Sequence, residues 1–164
     1  MKGTVMKMKW TIAALVGMSA LVADAGIAAG QSLNPIHWMK KSPTASEQLA
    51  ANKEESKRLA GVLQAILPAK TKLEDACAGF RQLESCVATL HVSHNLKIKF
   101  NCLKWDVTGT QPVSGNVTSC AAPENGKAVS LTKAIHALKP DADAKTEAKN
   151  AERRAQEDIK DATS

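Results

Sequence analysis

The fold turns on one stretch of the chain, TKLEDACAGFRQLESCVATLHVSHN, residues 71–95. Leu73, Cys77, Phe80, Val87 and Leu90 recur in it at helical spacing, which lines their side chains along one face. Thr71 and Glu74 stand three apart as in a capping box, where hydroxyl and carboxylate each satisfy an amide that the first turn leaves free. Asn95 supplies a stop, because Asn tolerates left-handed backbone, and His91 and His94 suit the negative end of the helix dipole. Gly79 is the candidate break.

Two body plans follow from that glycine. If residues 72–94 form one helix, Cys77 and Cys86 are separated by about 13.5 Å of rise, whereas bridged Cα atoms lie within about 7 Å. Each would then bond to Cys102 or Cys120. If Gly79 folds the stretch into a helical hairpin, Cys77 meets Cys86 and the second bridge joins Cys102 to Cys120. Spacing alone leaves both open.

The start of the chain is the reason to read these cysteines as bridges. Lys2, Lys7 and Lys9 precede an uncharged run from Trp10 to Ala23, and small residues continue to Gly30. Basic, then apolar, then small is the anatomy of an export signal. The apolar run is about 14 residues, where a helical membrane crossing needs roughly 20. Residues 1–30 are therefore expected to be a signal peptide cleaved after Ala25 or Gly30. The product is expected to be periplasmic or secreted, with no stable membrane span. In an oxidising compartment four cysteines imply two disulfides. The chain has no Cys-x-x-Cys redox pair, haem attachment or zinc-type doublet, and no cofactor is expected.

Removing residues 1–30 leaves 19 basic and 15 acidic residues, a net charge of +4. Tyr is absent, and only Trp38, Phe80, Phe100 and Trp105 remain as aromatics. That is too little basic surface and too little stacking for specific nucleic-acid binding. It leaves weak attraction to an anionic envelope polymer. The interior must be assembled mostly from Leu, Val, Ile and Ala, and so lean a core invites covalent staples.

Residues 31–43 read as a leader in which Pro35 and Pro43 prevent a continuous helix. Trp38 beside Lys40 and Lys41 is a candidate contact for a partner or membrane surface; the plainer reading is packing on its own domain. Residues 44–140 read as the disulfide-stabilised helical domain. Thr44 and Glu47 cap its first helix, whose buried side is Leu49, Leu59, Val62, Leu63 and Ile66. Asn52 and Glu55 offer a second cap that would split this helix, and Pro68 closes it.

From 96 to 107 apolar and basic residues alternate and then shift phase, with Leu103, Trp105 and Val107 taking the apolar side. A short extended or irregular segment running into a helical turn is expected there, a helix capped by Asn101 being the alternative. Residues 108–129 are rich in turn formers, with a small hairpin expected at Gly115 and Asn116, and Cys120 tethers this long loop. Asn116 and Thr118 match a glycosylation sequon that is common by chance. Leu131, Ile135 and Leu138 mark a short helix.

Residues 141–164 read as a charged terminal helix capped by Asp141. Its apolar stripe is Ala144, Ala148, Ala151, Ala155 and Ile159, and Arg153–Glu157 and Arg154–Asp158 pair across turns. So thin a stripe is expected to leave the helix solvated beside a body that folds without it. The alternative is close zipping against another helix, which small side chains permit.

Chemistry is sparse. His91 and His94 are three apart on a helix and would offer two imidazoles to a metal, with His37, His136 or Asp106 needed to complete the site. Ser93 lacks the glycine frame of a nucleophile elbow, and neighbouring carboxylates such as Glu74 and Asp75 sit at solvated helix starts. The expected class is a mainly α, exported, non-catalytic protein that binds or organises another envelope or extracellular component. A metal-binding protein using His91 and His94 is the first alternative, and a small secreted hydrolase the second.

Overall fold

The computed structural model describes residues 42–112 and 119–164. Among them are seven α-helices and no strand. The expected signal peptide, leader residues 31–41 with His37, Trp38, Lys40 and Lys41, and the loop centre with its expected hairpin and its sequon all lie outside the described residues.

Gly79 decides the body plan in favour of the hairpin. α3 (Leu73–Cys77) ends before it and α4 (Leu83–Leu96) begins after it. Gly79 itself sits at φ +89°, a conformation in which a side chain would be strained. The fold-back brings the Cα atoms of Cys77 and Cys86 to 5.3 Å, bridged, and Cys102 and Cys120 pair at 5.2 Å. The second capping box does not form. Glu74 instead accepts from Ser56 Oγ at 3.0 Å, and Thr71 turns to the Ala69 carbonyl.

The first box does form. Glu47 N–H donates to Thr44 Oγ1 at 3.3 Å, and Thr44 N–H donates to the Glu47 carboxylate at 2.6 Å, opening α1 (Ala45–Ala51). Asn52 ends α1 and caps α2 (Lys53–Val62) through Glu55 N–H, so the helix splits where the second cap lies. Leu49, Leu59 and Leu63 are buried, but Val62 is 51% exposed and leaves the expected stripe.

The segment expected to be extended is helical. α4 runs through Leu96, Lys97 turns at φ +58°, and α5 (Phe100–Thr108) starts three residues later. A linker this short reverses the chain because Lys97 takes the left-handed position and Ser93 Oγ donates to the Ile98 carbonyl at 2.8 Å. The phase shift in the alternation is where one helix ends and the next begins. Gly109 closes α5 at φ +68°.

After the loop, a 3₁₀ turn at Glu124–Gly126 leads to α6 (Leu131–Leu138), capped by Ser130. α7 (Ala144–Thr163) is capped by Asp143 rather than Asp141, the carboxylate accepting from Thr146 N–H at 3.1 Å.

α4 is the central helix, with Cys86, Val87, Ala88, Thr89, Leu90 and Val92 buried. Phe80 and Phe100 stack near it at 6.5 Å between ring centres, within the usual aromatic range. The solvated reading of the tail is overturned. α7 packs along α4 and against α2 and α6, and its Ala144, Ala148, Ala151, Ala155 and Ala162 belong to the same core as Leu90 and Ile135. Methyl groups let two helix backbones approach closely, so a stripe that buries little area per residue still excludes water along five turns. Arg153 pairs with Glu157 at 2.7 Å, but Asp158 turns from Arg154 to His91.

Candidate functional site

α5 presents Phe100, Leu103 and Asp106 at a spacing of three, all on its buried face. The row that begins with an aromatic ring and a leucine therefore ends in a carboxyl. Asp106 is only 5% exposed; its carboxyl takes no hydrogen bond or ion pair among the described residues, and since no enclosed side-chain oxygen there lacks a partner, its oxygens open to solvent at the cleft. Burial pushes its pKa up, and no neighbouring group pulls it back. An ionised carboxylate in such a place is costly unless something supplies a donor.

Asp106 borders a cleft of about 970 Å³, at the upper end of the volumes typical of ligand sites, roughly 300–1,000 Å³. One wall is the loop Ala121–Pro123, held by the Cys102–Cys120 bridge just before it. A second is Val129, whose N–H donates to the Asp106 carbonyl at 2.8 Å. α6 contributes Lys133, His136, Ala137 and Leu138, and the first turn of α7 contributes Ala144 and Lys145. Asp143 on this rim is committed to Thr146 through both its N–H and its hydroxyl, which hold the carboxyl below its ordinary pKa.

A second cleft, of about 560 Å³, lies between α3, α5 and residues 68–71. Its inner cation is already satisfied: Lys104 Nζ donates to the Asp75 carbonyl at 3.0 Å. Burial lowers the Lys104 pKa and the Asp75 charge partly restores it. The first cleft presents a carboxyl without a protein partner and the second a cation that has one, so the first is the stronger site.

The residues singled out from sequence are dispersed. His91 Nε2 lies 2.7 Å from Asp158 Oδ2, with the side chains 12% and 21% exposed, and ties α4 to α7. His94 is exposed one turn on. Asp106 and His136 share the large cleft, apart from that histidine pair. No cluster of three or more metal-ligating side chains occurs among the described residues. Ser93 donates to a backbone carbonyl, and the four cysteines are all bridged. The candidate contact at Trp38, Lys40 and Lys41 lies outside the described residues.

Asp106 escaped sequence reading as the centre of a site because period-two alternation places it opposite Leu103, Trp105 and Val107, facing water. Helical spacing from Phe100 would have found it. No protein-family model, curated protein or solved structure matches the chain. What is defined is a class, a small, mainly helical unit stapled by two disulfides, with no described helix long and apolar enough to cross a membrane.

Proposed function

We propose that this is an exported, non-catalytic binding protein that takes up another envelope or extracellular component in the cleft between α5, α6 and the start of α7. The observation that carries this reading is Asp106, a carboxyl buried without a partner beside a ligand-sized cleft. A carboxyl that reaches solvent only through the cleft is poorly hydrated, and a ligand donor would improve on that. Two disulfides suit an oxidising compartment, in keeping with the basic, apolar and small segments at the start of the chain. The cleft's walls are held by a bridge on one side and a backbone hydrogen bond on the other, which favours a preformed site.

The metal reading draws less support, because His91 already has Asp158 and the pair gathers no third ligand among the described residues. The hydrolase reading would need a nucleophile beside a histidine and a carboxylate; Thr132 is the hydroxyl residue that borders the cleft with His136.

The test uses the oxidised protein, immobilised and exposed to native envelope extract and culture fluid. Ala137 is exposed on the cleft's rim, and Ala137→Trp would fill the opening without entering the core. Mass spectrometry of the eluates should find a component retained by the wild type and lost from Ala137→Trp. Equal recovery from both would remove the cleft from the function.

A further inference from the structure

The chemistry of the cleft narrows its ligand, an inference that rests on the binding role proposed above. The carboxyl of Asp106 lies at the inner end, 5% exposed and without a partner, and it accepts hydrogen bonds rather than donating them when ionised. Ala121, Pro123, Val129 and Leu138 offer walls of methyl and methylene groups. At the rim, Lys133 on the first turn of α6 and Lys145 on the first turn of α7 are exposed, and neither takes part in an ion pair among the described residues. The rim's own carboxylate, Asp143, is occupied by Thr146. Those bonds keep Asp143 ionised, and its charge partly offsets that of Lys145, so the outer end carries two ammonium groups against one carboxylate, a net positive charge, and the inner end is acidic.

We infer that the cleft takes a small amphipathic acid, with an apolar body, an N–H or O–H donor at its inner end for Asp106, and an acidic group at its outer end for Lys133 and Lys145. A simple amine would satisfy Asp106 but leave the net positive charge of the mouth unanswered. A fatty acid without a donor would satisfy the lysines and press hydrocarbon against a buried carboxylate, which is costly. Only a molecule with both ends answers both.

Three related probes separate these contributions. 6-Anilinonaphthalene-2-sulfonate carries fused apolar rings with an N–H donor and an acid at opposite ends. N-phenylnaphthylamine keeps the N–H and lacks the acid. Naphthalene sulfonate keeps the acid and lacks the N–H. Fluorescence titration of the oxidised full chain, with naphthalene sulfonate read by displacement, should show one saturable site for the first probe. Each of the other two should bind about fivefold more weakly, the worth of one modest polar contact. The Lys133→Ala/Lys145→Ala double variant should erase the advantage over N-phenylnaphthylamine, and Asp106→Ala the advantage over naphthalene sulfonate. Thermal melts establish that each variant is folded; if Asp106→Ala is not, the lysine variant decides.

Two other results would be distinct failures. Equal binding of all three probes that Ala137→Trp abolishes, or preferences that survive the substitutions, would overturn the ligand class and leave the cleft as a binding site. Absence of saturable binding by any probe, or binding that Ala137→Trp leaves unchanged, would overturn the inference and the cleft's proposed role together.

Discussion

Two residues hold conformations or charges that the rest of the fold must accommodate. Gly109 closes α5 at φ +68°, and a Cβ built on it would stand 2.7 Å from the Ala128 backbone nitrogen. Both the left-handed backbone and the returning loop exclude a side chain. Gly109→Ala is expected to lower stability by about 1–2 kcal/mol from the backbone conformation alone, and by more once Ala128 is displaced, as read by thermal melting. Asp106 is the opposite case, a residue whose removal should help. Its pKa is raised by burial, so the unfolded chain gives up this proton at lower pH than the folded one. The group's contribution is fully favourable below its unfolded value of about 3.9 and is lost as pH rises through the folded value. Asp106→Asn should therefore melt higher than the wild type at pH 7, with the advantage disappearing below about pH 4. An unchanged difference across that range would show that the carboxyl is not desolvated. Glu47 and Asp143 run the other way: hydrogen bonds from Thr44 and Thr146 lower their pKa values, and both caps weaken as acid protonates them.

At the scale of the element, α7 shows how little bulk a helix needs in order to dock. Its buried face is alanine at positions 144, 148, 151, 155 and 162, laid on α4 and its neighbours. Close approach replaces side-chain volume, so the interface has no slack for larger groups. Ala151 is fully buried, and Ala151→Leu should cost about 1–3 kcal/mol by overpacking, whereas Ala→Leu on the exposed side of a helix is close to neutral in propensity. The His91–Asp158 contact adds direction to this packing, since it fixes the rotation of α7 about its axis against α4. Helix existence was legible here from sequence, through the alanine stripe, the Arg153–Glu157 pair and a run without breakers. Docking was not, because amphipathicity measures how much a face can bury and says nothing of how closely the partner comes. The same limit explains α5. Alternation over a few residues fits a strand, but it also fits the junction of two helices, and only the reversal at Lys97 distinguishes them.

For the whole molecule, α7 and the disulfides are expected to be structural necessities. Deleting residues 144–164 would expose the buried face of α4 to water, so the truncated chain should lose its cooperative melt in the oxidised form. A sharp transition near the wild-type temperature would restore the view of a body that folds without its tail. The Cys77–Cys86 and Cys102–Cys120 bridges close loops of 9 and 18 residues. In such short loops each is worth about 2–3 kcal/mol, largely through the unfolded chain. Replacing Cys102 and Cys120 by Ala should also free the wall at Ala121–Pro123, loosening ligand binding in the cleft by more than the Cys77–Cys86 replacement does.

Much of this molecule is written locally. The Thr44–Glu47 box, the Asn52 cap, the breaking glycine, the even set of cysteines and the helical stripe of α4 act over one or two turns, and neighbours in sequence suffice to specify them. The choice between the two bridge patterns, the docking of an alanine face and the burial of Asp106 beside a cleft are settled at long range. Each depends on which helix lies opposite and at what distance, and those distances exist only after the core has closed around α4.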